Sequence, residues 1–183
     1  MCGIFGIASR TRAQNEMDAI CRTGTDCLTH RGPDGSGQWT AAGVALGHRR
    51  LSIIDIAGGT QPMPSARAPL TIVFNGEIVN HRALRKDLES EGVCFATDHS
   101  DTEVILAMYE RHGADCVKHL RGMFAFAIWD GRDDSLFLAR DHMGIKPLYY
   151  YEGDGELAFT SEIHALHDSG LVPFQANHKT FNE

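Results

Sequence analysis

The sequence predicts an α+β fold in which two antiparallel sheets pack face to face with helices outside, and three observations carry that reading. Apolar runs recur in pairs around polar turns: 123–129 and 136–139 flank Asp130-Gly131-Arg132-Asp133-Asp134, and 148–151 and 157–160 flank Glu152-Gly153-Asp154-Gly155-Glu156. Helical patterns are few and stand between groups of strands. One of them opens on Ser100-Asp101-Thr102-Glu103, an S-x-x-E capping box ahead of Val104, Ile105, Ala107 and Met108, and Gly113 ends it. A chain of 183 residues with 43% hydrophobic content supports one such core, so a single domain is expected over 1–168 with a weakly patterned tail or linker stub over 169–183.

In chain order, Gly3-Ile4-Phe5-Gly6-Ile7-Ala8-Ser9 is apolar enough to be a buried strand that starts at the terminus. A helix is predicted over 16–28 from Met17, Ile20, Thr23, Cys27 and Leu28, with Gly24 weakening it. Residues 30–37 contain Gly32, Pro33, Gly35 and Gly37 and read as loop. Short strands are expected at 44–46 and 51–56, separated by Gly47-His48-Arg49-Arg50, and another at 70–74 that ends at Asn75-Gly76-Glu77. Asn80 is placed to cap a helix over 81–91 closed by Gly92, with Leu84 and Leu88 inward and Arg82, Arg85 and Lys86 solvated. Short helices follow at 115–120 and 161–167. Phe124, Phe126 and Trp129 read as core positions of one strand, whereas Tyr149, Tyr150 and Tyr151 in a row cannot all face inward.

Composition narrows the function classes. A net charge of −7 without long runs of either sign gives no reason to expect nucleic acid or an anionic membrane as partner. The five cysteines are odd in number, form no C-x-x-C pair and follow no signal peptide, which reads as a reduced, cytoplasmic protein. Of the ten histidines, His164 and His167 lie three apart, but only Glu162 joins them at ligand spacing, so a metal centre is not expected.

The chemistry concentrates at Cys2. Removal of Met1 would leave one residue with both a thiol and a free α-amine, a nucleophile carrying its own base, since an α-amine ordinarily titrates at roughly 7.7–8. Alone, Cys2 is equally a small apolar residue at a strand start. Its company completes a set for attack on an amide. The Asn75 side-chain amide and the Gly76 N–H supply oxyanion donors, Arg50 offers a bidentate grip on a carboxylate, and Glu77 or Asp101 can hold an ammonium. Each also has an ordinary reading as a turn, a helix first turn or a solvated charge.

Seven ordered segments carry a resemblance. They are Cys2-Gly3-Ile4, Arg31-Gly32-Pro33-Asp34, Leu46-Gly47-His48-Arg49-Arg50-Leu51-Ser52-Ile53-Ile54-Asp55, Asn75-Gly76-Glu77-Ile78, Ser100-Asp101-Thr102-Glu103, Gly122-Met123-Phe124-Ala125-Phe126 and Arg140-Asp141-His142-Met143-Gly144-Ile145-Lys146-Pro147-Leu148-Tyr149-Tyr150. Together, over residues 2–166, the chain resembles the glutaminase domain of class II glutamine amidotransferases of the asparagine synthetase type. The resemblance implies an N-terminal-nucleophile hydrolase fold, a four-layer αββα sandwich. It implies that Cys2 attacks the side-chain amide of L-glutamine to give a glutamyl thioester and ammonia.

Glutamine binding is implied at Arg50, Leu51, Ser52, Ile53, Ile54, Asn75, Gly76, Glu77 and Asp101. Arg50 would hold the α-carboxylate, Glu77 and Asp101 the α-ammonium, and Asn75 with Gly76 the oxyanion. No cofactor is implied for this half. ATP and Mg²⁺ belong to a synthetase domain whose S-G-G-x-D-S loop this chain lacks, so ammonia is expected to pass to such a domain or subunit. Val79 and His142 depart from the family's usual residues without touching these positions. Other acceptors, a silent glutamine-binding or interaction module, and a homodimer stay open.

Overall fold

The computed structural model of the chain describes residues 1–52 and 59–173. Among the described residues, nine strands form two antiparallel sheets. The first has the order β2-β3-β1-β9-β8 and the second β4-β5-β6-β7. The strands are β1 (Gly3–Ser9), β2 (Gly35–Ala41), β3 (Val44–Arg50), β4 (Met63–Pro64), β5 (Leu70–Ile78), β6 (Gly122–Asp130), β7 (Ser135–Arg140), β8 (Tyr149–Gly153) and β9 (Glu156–Thr160). The helices are α1 (Gln14–Asp26), α2 (His81–Ser90), α3 (Asp101–His112) and α4 (His164–Asp168), with a 3-10 turn at Gly113–Lys118.

The period-two alternation of strand side chains divides the core into three layers. Ile4, Val44, Leu46 and Phe159 from the first sheet meet Val73, Ala125, Ala127 and Trp129 from the second. Phe5, Ile7, Ala45 and Ala158 point outward onto Met17 and Cys21 of α1 and Ala165 and Leu166 of α4. Ile72, Phe74, Phe124, Phe126 and Ile128 point outward onto α2 and the buried face of α3. The order helix, sheet, sheet, helix is the expected four-layer αββα sandwich. All three aromatics are core as expected, but Phe124 and Phe126 face the helices while Trp129, an odd number of residues on, faces the other sheet.

Several boundaries differ for identifiable reasons. The expected loop at 30–37 is already strand from Gly35, and Gly37 there sits against another backbone: a Cβ would overlap the Gln61 carbonyl. Gly47-His48-Arg49-Arg50 continues β3 rather than separating two strands, because Gly47 lets the sheet lie flush on Thr25 of α1. Leu51 and Ser52 are outside any strand, and the remainder of the strand expected to 56 lies outside the described residues. The strand from Leu70 runs on to Ile78, four residues past Phe74.

Asn80 does not cap α2 with its side chain. Its Nδ2 donates to the His119 carbonyl at 2.9 Å and its Oδ1 accepts from Arg121 N–H at 2.9 Å, tying the helix start to the 3-10 turn. Arg85 is likewise not simply solvated, since its guanidinium lies 4.4 Å from the Phe95 ring centroid and donates to Glu89 and the Thr97 carbonyl. The capping box is half realised: Ser100 Oγ accepts from Glu103 N–H, while the Glu103 carboxylate turns to the amides of Ala96 and Thr97. Among the described residues no helix is long and apolar enough to cross a membrane.

Candidate active site

Register brings the sequence-predicted residues to one end of the sandwich. Gly3 pairs with Arg49, which places Cys2 level with Arg50. Ile4 and Leu46 face the layer between the sheets, so by alternation Cys2, His48 and Arg50 share that face. On β5 the odd positions Val73, Asn75 and Glu77 point into the same layer. Cys2, Arg50, Asn75 and Glu77 line one cleft of about 140 Å³ together with Met1, Leu51, Gly76 and Asp101, among others. Ser52 is not part of this lining; its amide donates to Asp34 Oδ2 at 2.8 Å, turned toward the loop that follows α1. Ile53 and Ile54 lie outside the described residues.

The Cys2 sulfur is bracketed by the backbone of Leu51: the Leu51 N–H donates to Sγ at 3.4 Å, and the Leu51 carbonyl lies 3.7 Å away as acceptor for the thiol. Behind Cys2, Arg31 Nε donates to the Cys2 carbonyl at 2.9 Å and Nη1 to Glu162 Oε1 at 2.7 Å, while the Met1 amino group donates to the Arg31 carbonyl at 3.2 Å. The guanidinium, on the segment between α1 and β2, thus ties the Cys2 backbone to Glu162.

The open edge of β5 makes the opposing wall. β4 pairs only with Thr71 and Ile72, and among the described residues no other strand continues along that edge. Phe74 N–H donates to Gln61 Oε1 at 2.6 Å and Ile78 N–H to Asp101 Oδ2 at 3.1 Å, both away from β6, whereas Val79 N–H turns the other way to the Arg121 carbonyl at 2.8 Å. Antiparallel alternation then aims the Gly76 N–H at the same open edge, into the cleft. Only glycine fits there, since a Cβ would overlap the Met123 carbonyl and crowd the Phe74 ring. Beside it, Asn75 is 1% exposed and its Nδ2 is buried with no hydrogen-bond partner among the described residues. Leaving a buried donor unpaired costs about 1–3 kcal/mol.

Asp101 opens α3 and is buried. Loss of hydration raises its carboxyl above the ordinary range, opposed by the Ile78 amide and the nearby His81. A buried carboxylate in that condition is suited to receive a cation. Glu77 is exposed at the rim of the same wall.

His48 holds the two sheets together next to the site. Its Nε2 lies 3.1 Å from the Phe74 carbonyl, which can only accept, so that nitrogen carries the hydrogen. Burial pushes its pKa down to about 4, with the Phe74 bond opposing and Arg50 adding to the shift. The unfolded chain therefore takes up a proton below about 6.5 that the folded chain refuses. The stability due to neutral His48 is full above that pH and is lost as pH falls toward 4. Between pH 7 and pH 4 the wild type is expected to lose roughly 3 kcal/mol more stability than His48→Gln, which keeps a donor without titrating, as read by urea unfolding at each pH.

Sequence reasoning gave no role to Arg31, Gln61, Thr102 or Lys146, though all but Gln61 lie within the seven ordered segments. Gln61 Nε2 bonds Thr102 Oγ1 at 3.4 Å, closing the wall between β5 and α3. A larger cleft of about 1600 Å³ lies at the far end of β1, around Arg12, Trp129 and Glu156. It contains none of the residues above, and its buried Glu156 is already satisfied by Arg12 at 2.6 and 2.8 Å. The smaller cleft, which holds the Cys2 thiol, is the candidate site.

Over residues 1–183 the chain matches the family described as "Glutamine amidotransferase domain". The chain belongs to that family. It is 43% identical over 169 residues to asparagine synthetase [glutamine-hydrolyzing] 3 of Bacillus subtilis, covering 91% of this chain and 27% of that protein. It is 40% identical over 167 residues to asparagine synthetase B [glutamine-hydrolyzing] of Escherichia coli, covering 91% and 30%. The chain thus spans between a quarter and a third of the length of these relatives. Among solved structures it is similar to a glutamine phosphoribosylpyrophosphate amidotransferase from B. subtilis complexed with ADP and GMP, with a TM-score of 0.75 and 26% identity over 92% of this chain and 44% of that one. The glutamine amidotransferase likeness and the sandwich fold are therefore as the sequence led one to expect.

Proposed function

We propose that this amidotransferase domain hydrolyses L-glutamine to glutamate and ammonia through Cys2. The observation that carries the reading is the buried Asn75 Nδ2, without a hydrogen-bond partner among the described residues, next to an inward Gly76 N–H, two donors available to an oxygen in the cleft that contains the thiol. Once Met1 is removed, the Cys2 α-amine accepts the thiol proton as sulfur attacks the amide carbon. The C–N bond then breaks, the amine returns the proton to the departing ammonia, and a glutamyl thioester remains. Water adds to the thioester, and the thiol leaves reprotonated with glutamate released.

Arg50 takes the substrate α-carboxylate, and Asp101 with Glu77 takes the α-ammonium. Asp101→Asn is expected to raise KM for glutamine by roughly 10–100-fold with a smaller change in kcat, because a charge-assisted contact made in both ground and transition state is lost. Steady-state kinetics of glutamate release check it.

The ammonia acceptor is read as aspartate in an ATP- and Mg²⁺-dependent synthetase unit outside this chain, in line with the relatives' names. Large apolar side chains stand in solvent beside the cleft on the loop and strand that follow β7, with Met143 83% and Tyr150 67% exposed. Such a surface suits a docked acceptor unit. Glutamate release by Met1-processed protein, absent from Cys2→Ala, tests the glutaminase reading; processed protein that never turns over glutamine would overturn it.

A further inference from the structure

An α-amine that ordinarily titrates at roughly 7.7–8 is mostly protonated at neutral pH and is then no base for the Cys2 thiol. A fixed cation nearby disfavours a second positive charge and so favours the neutral amine. Among the described residues lining the cleft, one cation has no group of the proposed substrate assigned to it. Arg50 from β3 faces the α-carboxylate, Glu77 from β5 and Asp101 from α3 face the α-ammonium, and Arg31 is engaged with Glu162 and the Cys2 carbonyl. Lys146 remains.

Its Nζ lies 3.5 Å from the Met1 Sδ, and Lys146 lines the same cleft as Met1 and Cys2, so the ammonium stands no farther from the Met1–Cys2 peptide bond than a methionine side chain plus that contact. The loop that presents it is built for fixed placement. Asp141 is buried and its Oδ1 accepts from the amides of Met143 at 3.1 Å and Ile145 at 2.9 Å, while Oδ2 accepts from Lys146 N–H at 3.0 Å and Phe124 N–H at 3.2 Å. Burial alone would raise this carboxyl, but the four amides hold it below its ordinary value. Arg140 Nε donates to the Lys146 carbonyl at 3.1 Å, and Gly144, at φ +63°, leaves room for the Arg140 guanidinium where a Cβ would overlap it.

We infer that Lys146 is a positioning charge for the nucleophile: its ammonium keeps the α-amine exposed by Met1 removal neutral and able to accept the Cys2 proton. The inference rests on the glutaminase reading, and its test separates the two. Wild type, Lys146→Met and Lys146→Arg, each confirmed by intact mass to lack Met1, are compared by pH profiles of kcat/KM for glutamate release. Cys2 alkylation by iodoacetamide, followed at the Cys2 peptide, is profiled alongside.

In Lys146→Met both ascending limbs are expected to move up by roughly 0.5–1 pH unit with the plateau largely kept, and in Lys146→Arg neither moves. Superimposable limbs in Lys146→Met overturn the inference, as does a rise in KM at every pH with the limb fixed, which would make Lys146 a substrate contact. Should Lys146→Met not stay folded, Lys146→Gln removes the same charge and is read in the same way. Alkylation limbs that shift while no protein releases glutamate at any pH would uphold the charge effect and overturn the glutaminase reading instead.

Discussion

Cys2→Ala is expected to bring glutamate release to the background rate, a fall of about 10⁴-fold or more, with the melting temperature unchanged. The magnitude follows from removing the atom that forms the covalent intermediate: no other group in the cleft can make a thioester, and the donors of Asn75 and Gly76 then stabilise only unassisted attack by water. Stability should hold because Cys2 is only partly buried and its sulfur makes two weak backbone contacts with Leu51. Alanine is also small enough for Met1 to be removed, so intact mass separates loss of the thiol from failed processing. A wild-type preparation that keeps Met1 is expected to be as inactive as the variant, since its α-nitrogen is tied up in an amide and the structure shows that residue occupying the cleft mouth. Mass spectrometry after mixing with glutamine completes the check: a glutamyl adduct on processed wild type and none on Cys2→Ala. Residual Cys2-independent turnover would place the nucleophile elsewhere.

The layered architecture was legible because hairpins write themselves locally, as the pairs β6–β7 and β8–β9 do: polar turn, apolar flanks, no long-range knowledge needed. What local pattern misses is set by contacts between distant segments. Gly47 read as a breaker because a glycine within a short apolar run ordinarily interrupts it, yet here it is the residue that lets α1 lie on β3. Asn75-Gly76 read as a strand end because the pair favours turns, yet β5 carries both in extended conformation along an edge where β4 has stopped. Asn80 read as a cap because its spacing to the helix was right, but two backbone partners at 119 and 121 outcompete the helix amides. The site residues were legible as motifs, and their convergence depended on register that a single sequence does not print. Arg31 and Lys146 stayed without roles for the same reason: a guanidinium bonded to the Cys2 carbonyl and a lysine lining the same cleft are recognisable only once Cys2 has a position.

Asn75→Ala is expected to lower kcat by about 10²–10³-fold, with KM for glutamine changed by less than about threefold. The donor meets its oxygen only when the carbonyl becomes tetrahedral, so its loss falls on the transition state and spares the ground state. Stability distinguishes this role from an ordinary buried amide. A structural asparagine is satisfied in the free protein, and truncating it strands its partners. The Asn75 Nδ2 has no partner among the described residues, so alanine removes a buried polar group whose unpaired state costs about 1–3 kcal/mol, offset by a small cavity. The melting temperature is therefore expected to stay level or rise while turnover collapses. Asn75→Asp sharpens the contrast, since a near-isosteric carboxylate replaces the donor with a charge that repels the oxyanion and should be at least as inactive as alanine. Kinetics and thermal unfolding on the same samples decide it. Turnover and melting temperature falling together would assign Asn75 to holding β5 in place and leave Gly76 N–H as the oxyanion donor in the cleft.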